Sequence, residues 1–525
     1  MQGKSALMTA VAVVALTAGS AYAAGKPSSN GTSSSSTAAT DSGPSNAELA
    51  ARIQALEDEL QAYEGKAQTD HTRLSTLEQN FNDVSWSFDN SRPTIKTGDG
   101  RFTMSFRVRL QVDDANFLQD SSQKLKLESP QSAKDLSSGA VVRRAYFGVE
   151  GKAFNDFFYE FRFNGGGSNG SGGTGVTGSE GDPLVNIARV AYTGIDHFEV
   201  NLGVIEPAFM YEGVIGSSAL PFLERPEIDN IAADTFGAGD SRRGVELRFQ
   251  KQDALMPGDN LVLDTAFTGS KTGSSTGHGP GGDEQTQLLG RASYRFWSDG
   301  ASNASIGASG GDVLSDGGGV STLNLQDRPE IRVDGTRLIS TGGIAAKHAY
   351  MYAFDAGANF NNFYAGGEYA NFTVRRSASG LLAADNPNFS GWYVEGTWVL
   401  TGEPKSYTVS ATNNEVGGFG APKVASPFSL NGDSWGAWEL TARYSNTDLN
   451  WHDQMAATAS TQAGINGGDE RIVALGVNWY LNNNVKLQFN DLITHVNKYS
   501  STTHVLANFG GQDFNTVGVR LQFTN

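Results

Sequence analysis

The sequence predicts an all-β fold: a transmembrane antiparallel β-barrel of about sixteen strands, preceded by an α-helical coiled coil. Three observations predict it. From Arg101 onward apolar and polar residues alternate with period 2, many in segments of about 9–11 residues, the length that crosses a bilayer at barrel tilt. Aromatics gather near segment ends, as in Trp392-Tyr393, Trp479-Tyr480 and Trp435/Trp438, where a membrane protein places its interfacial girdles. Short turns, such as 194–196 and 482–484, contrast with long Gly/Ser/Asn-rich loops, such as 165–181, 271–284 and 456–468. That asymmetry belongs to membrane barrels. A secreted array of β-sandwiches is the competing all-β reading, and it needs a buried partner for every apolar face.

Taken in chain order, 1–23 reads as a signal peptide. Lys4 supplies the charge, 6–18 the short apolar run, and Ala21-Tyr22-Ala23 the small-x-small cleavage site. Residues 24–45 are Ser-rich and cannot bury a core, so they are expected to form a flexible linker. Over 46–85 the period changes. Leu49, Ile53, Leu56, Leu60, Tyr63, Ala67, Asp70, Leu74, Leu77, Phe81 and Val84 follow steps of 4 and 3, a heptad that predicts an oligomerising coiled coil of two or three strands.

The barrel is expected over 86–525. In its first segment Phe102, Met104, Phe106, Val108, Leu110 and Val112 share one face, and Arg101, Thr103, Ser105, Arg107, Arg109 and Gln111 the other. The pattern recurs in 157–164, 198–204, 244–249, 288–297, 436–444, 472–481, 485–493 and 517–523. Residues 208–240 form a long loop carrying Glu224 and Arg225, with Arg243 just beyond it. These three are the expected constriction residues.

Composition narrows the function. The chain has 525 residues, 39 Lys+Arg against 56 Asp+Glu, a net charge of −17 and no cysteine. Disulfide scaffolds and Cys-based metal sites are excluded, and nucleic acid is an improbable partner for so acidic a chain. The seven histidines show no ligand spacing, so no metal or cofactor is expected. Gly282-Asp283-Glu284 and Gly468-Asp469-Glu470 echo a nucleotide-cyclase signature but lack the flanking α/β pattern. No Ser/His/Asp arrangement has an elbow-like context, so no catalytic residue is assigned.

Several stretches resemble the phosphate-selective porin O and P family of Gram-negative outer membranes. They are Asn90-Ser91-Arg92-Pro93-Thr94 with Asp99-Gly100-Arg101-Phe102, then Arg143 through Gly151, Asn201 through Phe209, Leu220 through Arg225, Trp398 through Glu403, and Asn478-Trp479-Tyr480. The resemblance covers roughly 86–525. It implies a trimeric sixteen-stranded porin in the outer membrane, with a periplasmic N-terminus and a third loop folded inward to narrow the pore. Small anions such as phosphate are the implied permeants.

Strand parity then assigns the lumen. The inward basic residues are predicted to be Arg107, Arg109, Arg144, Arg162, Arg242, Arg248, Arg291, Arg295, Arg443, Lys486 and Arg520. The inward acids are predicted to be Glu150, Glu160, Glu199, Glu246, Asp264 and Glu439, so the wall carries eleven basic groups against six acidic ones inside an acidic chain. Basic groups in a narrow lumen favour anions, and arginine offers a planar fork that matches phosphate oxygens. Arginine–carboxylate pairs that merely brace the barrel are the alternative role for each residue. A second role for the whole chain is structural, with the coiled coil reaching the cell wall.

Overall fold

The computed structural model describes residues 45–89, 92–119, 135–167, 185–237, 241–271, 284–315, 322–376, 386–452, 464–498 and 512–525. The predicted leader, nearly all of the linker and the interiors of the long loops, Gly282-Asp283 included, lie outside them. Two units, Met1–Leu74 and Ser75–Asn525, make up the chain.

A helix, α1, spans Asn46–Asn82. Ser45 and Glu48 start it with a reciprocal cap: Ser45 N–H donates to Glu48 Oε2 at 3.1 Å, and Glu48 N–H to Ser45 Oγ at 3.3 Å. Leu49, Ile53, Leu56, Leu60, Tyr63, Leu74 and Leu77 are exposed along it. The expected heptad ran on to Val84, but Val84 opens a strand. Val84–Asp89 alternates polar with apolar residues and pairs with Arg92–Thr97, which ends the helix two residues earlier.

The barrel has sixteen antiparallel strands. The first eight are β1 (Thr103–Leu118), β2 (Gly139–Ala153), β3 (Phe157–Asn164), β4 (Val185–Ile195), β5 (Phe198–Ile205), β6 (Arg242–Gln252), β7 (Asn260–Lys271) and β8 (Thr286–Ser298). The second eight are β9 (Asn303–Ser315), β10 (Ile344–Phe360), β11 (Phe363–Arg376), β12 (Asn388–Val399), β13 (Ala437–Trp451), β14 (Ile465–Tyr480), β15 (Val485–Asn497) and β16 (Gln512–Thr524). Each strand pairs with the next, and β16 pairs with β1 from Asn515↔Leu118 to Thr524↔Arg109, which closes the ring.

The faces sort as a membrane barrel requires. In β1, Arg107, Arg109, Gln111 and Asp113 are buried, whereas Leu110 and Leu118 are exposed. A basic side chain turned outward at mid-membrane costs roughly 2–4 kcal/mol, so the polar face takes the lumen. Trp438 stacks on Trp479 at 5.1 Å and Phe363 on Trp398 at 5.4 Å, near the short-turn end of the barrel. In the Trp-Tyr dipeptides only the tryptophan faces out. Tyr393 and Tyr480 are buried, because successive strand residues point to opposite faces.

At the short-turn end, six connections hold two to seven residues each, and the seventh, 400–436, holds 37. Within it Lys405–Tyr407 pairs with Phe419–Pro422. The segment folds into the lumen: Gln250 Nε2 donates to Ala411 O at 2.9 Å, Arg248 Nη1 to Asn413 O at 2.6 Å, and Ser293 Oγ to Gly417 O at 3.1 Å. From the opposite end, 206–237 crosses the barrel. Its Tyr211 N–H reaches Glu368 on β11, and its Leu223 N–H reaches Asn490 on β15. A helix inside this loop, α2 (Glu227–Phe236), starts after Pro226 and stops at Gly237, whose positive φ of 74° lets its N–H return to Ala233 O. Ile228, Ile231, Ala232 and Phe236 on α2 are buried, with Phe236 stacked on Phe372 of β11 at 6.1 Å. Each large apolar side chain buried this way contributes about 1.5–3 kcal/mol to holding the loop inside. A third segment, 322–343, joins it through Asn230 Nδ2, which donates to Asp327 Oδ2 at 2.8 Å.

Candidate functional site

Where the inward segments meet the wall they enclose a cavity of about 110 Å³. Arg109, Arg143, Arg144, Arg162, Arg225 and Arg332 line it, facing Glu206, Glu224, Asp229, Asp234 and Glu415. The wall side comes from β1, β2 and β3, where alternation turns Arg109, Arg144 and Arg162 inward. The other side comes from 206–237, with Arg225, from 322–343, with Arg332, and from the tip of 400–436.

Glu224 is the densest ion-pairing centre. It accepts from Arg143 Nε at 2.7 Å and Nη2 at 3.2 Å and from Arg520 Nη2 at 2.7 Å, and it lies 3.7 Å from Arg144 and 3.6 Å from Arg332. Burial works against its charge, but the guanidiniums of Arg143, Arg144, Arg520 and Arg332 outweigh it and hold the carboxyl well below the usual range. Arg225 instead ties the loop to itself, donating to Glu212 O at 2.8 Å and Ile215 O at 2.7 Å. Asp229 is buried, and among the described residues its carboxyl has no hydrogen-bond partner. Burial, and then the nearby Glu212 carboxylate, push its carboxyl up to about 8.

The predicted inward basic residues separate into groups. Arg109, Arg144 and Arg162 line the cavity. Arg107 pairs with Glu150 at 2.8 Å and Glu160 at 3.2 Å, Arg248 with Asp264 at 2.8 Å, Arg291 with Asp355 at 2.6 Å, and Arg520 with Asp113 at 2.6 Å. Arg443 bridges the inward segments, reaching Glu330 at 2.5 Å and Glu212 at 3.3 Å. Arg242 and Lys486 hold loop carbonyls, Asp234 O at 3.1 Å and Leu220 O at 3.1 Å respectively. Arg295 lies at the short-turn end, donating to Asn303 Oδ1 at 3.0 Å, its guanidinium over the Tyr407 ring. Arg243 departs from expectation. It follows the inward Arg242 on β6, so parity turns it outward, where it is half exposed and pairs with Glu284 at 2.7 Å.

Residues 116–524 match the family described as Phosphate-selective porin O and P. The chain belongs to this family. Porin O of Pseudomonas aeruginosa is 22% identical over 464 residues, covering 82% of this chain and 90% of that protein. Among solved structures, an anion-selective porin from Comamonas acidovorans is 13% identical with a TM-score of 0.43, covering 81% of this chain and all of that one. The outer membrane channel DcaP of Acinetobacter baumannii is 11% identical with a TM-score of 0.43, covering 82% of this chain and 99% of that one. Membership makes the chain an outer-membrane channel protein of the porin class.

This porin has inward charges that parity reading missed. Arg143 and Arg189 are buried, as are Asp113, Asp355, Glu368, Glu395 and Glu470. Added to the two predicted lists, they give thirteen basic groups against eleven acidic ones, so the excess falls from +5 to +2. A register shift opposite Gln111/Val112 brings Arg143 in beside Arg144. The strand 185–192 carries a signal for Arg189, because Val190 and Tyr192 share its outward face.

Proposed function

We propose that this porin is a passive diffusion channel for small anions such as phosphate. One observation carries the reading: Arg109, Arg144 and Arg162 converge on the cavity where the inward segments narrow the lumen. A guanidinium lining a constriction with low-dielectric walls raises local anion concentration. Several moderate contacts, rather than one tight one, let the ion leave. The carboxylates on the same cavity temper the preference, so selectivity is moderate. Reversal potentials in a KCl gradient across planar bilayers test this. Anion preference is expected, and a clear cation preference overturns it.

The rest of the chain serves that channel. Residues 1–23 direct export, 24–45 give reach, and α1 stands in the periplasm. Three copies form the working unit, in contact with outer-membrane lipid.

A second reading is favoured by the exposed stripe of Leu49, Ile53, Leu56 and Leu60 on α1. Paired in a coiled coil, these residues give the porin a structural role, linking the outer membrane to the cell wall around a general pore. Deleting 25–84 separates the two: lost envelope attachment with intact conductance supports the structural role, and unchanged attachment counts against it.

A further inference from the structure

On the cavity lining, most carboxylates are already committed. Glu224 is gripped by arginines, and Glu206 takes Arg162 Nη2 at 2.6 Å and Asn186 Nδ2 at 2.9 Å. Asp229 is buried away from solvent, and Asp234, 39% exposed, accepts from Arg337 Nη2 at 3.5 Å. Glu415, at the tip of 400–436, differs. Its side chain is 32% exposed, and among the described residues no donor hydrogen-bonds its carboxylate. Its nearest cation is Arg109, with Nη2 to Oε1 at 3.8 Å.

Arg109 is equally uncommitted. Its cross-strand neighbours in register are Tyr146 and Thr524, neither of them acidic. It donates to Ser217 Oγ at 2.7 Å, while its buried Nε has no partner among the described residues. This guanidinium, which the wall leaves without an acid, therefore faces the one lining carboxylate that, among the described residues, is both exposed and without a hydrogen bond. Gly216 makes room for this: a Cβ there would overlap the Glu415 carboxylate.

We infer that Glu415 is a tethered counter-ion, a specificity-determining residue that competes with the permeating anion for Arg109. The inference rests on the anion reading above. It adds that the segment from the short-turn end sets the degree of preference. An anion entering the cavity displaces Glu415 from Arg109 and is released when the carboxylate returns. Two unit charges 3.8 Å apart in bulk-water dielectric give a Boltzmann factor of about sixfold, which sets the scale of the effect.

The test compares reversal potentials in a KCl gradient for wild type, Glu415→Gln, Arg109→Gln and the double variant. Glu415→Gln is expected to raise the anion-to-cation permeability ratio by about sixfold. Arg109→Gln is expected to lower it, and in the Arg109→Gln background Glu415→Gln is expected to change far less. Gly216→Ala, which displaces the carboxylate while keeping it, is expected to move the ratio in the same direction as Glu415→Gln. A wild-type channel that prefers cations overturns the anion reading. An anion-selective wild type whose ratio is unchanged in Glu415→Gln, or a full Glu415→Gln effect without Arg109, overturns the tethered counter-ion alone.

Discussion

Replacing Glu224 by Gln removes one charge from the middle of four guanidiniums while keeping the side chain's size. Glu224 is 3% exposed, so the groups around it cannot rely on bulk water. Arg143 loses its two bonds to a carboxylate, and Arg520 loses one while keeping both contacts to Asp113 at 2.6 Å. Breaking a buried ion network by removing one partner costs about 3–5 kcal/mol. The low end applies here, because Asp113 still answers Arg520. Thermal denaturation in detergent, followed by the loss of β-sheet circular dichroism, measures the change. The pH profile adds a second readout. A carboxyl held below its usual range stabilises the fold above the unfolded-state value, and that contribution is lost as pH falls through the folded value. The wild type therefore loses this increment progressively as pH falls below the usual carboxylate range, whereas Glu224→Gln lacks it at neutral pH and is flatter there. Equal melting temperatures at pH 7, with superimposable acid limbs, would refute the reasoning.

Three other outcomes follow from the same structure. Asp229 keeps its proton to about pH 8 when folded and releases it near 4 when unfolded, so between those values its contribution to stability falls as pH rises. Asp229→Asn is expected to lessen the drop in melting temperature between pH 5 and pH 8; an unchanged drop contradicts the assignment. Replacing 403–423 with a short turn leaves the β12–β13 ladder intact and is expected to raise single-channel conductance severalfold; an unchanged conductance means the segment does not narrow the path. A peptide of 46–82 is expected to sediment as an oligomer, and Leu56→Asp to return it to monomer, whereas a monomeric parent peptide contradicts the coiled coil.

The barrel was readable because its side-chain period is 2 and lipid demands apolar residues on one face only. Phe102–Val112 and Val485–Ile493 state that alternation openly. Strands β10 and β11 do not. Beside the outward aromatics Tyr352, Phe354 and Tyr369, their inward faces carry buried apolar Met351, Ala353, Ala370 and Phe372, so both faces read as apolar and inward Asp355 and Glu368 do not stand out. Arg143 was hidden by a register shift, which breaks parity locally without a mark in composition. The inward course of 206–237 showed in its length, but α2 within it did not. Residues 400–436 gave no sign at all. A loop rich in Gly, Ser and Asn reads the same whether it faces water outside the barrel or water within it. Its direction is fixed by distant partners such as Arg248 and Gln250, which meet it only after the barrel closes. The low net basicity of the wall comes from carboxylates spread over several strands, such as Asp113 beside Arg520 and Asp355 beside Arg291, which the alternation alone does not count.

The central proposal is that small anions pass through this porin by way of the arginines that line this cavity. Single-channel current in KCl with phosphate added as competitor tests it most directly. The account predicts a saturable fall in chloride current with rising phosphate, and a higher half-effect concentration in Arg109→Gln. A current that is carried by cations, or that phosphate leaves unchanged, would contradict it.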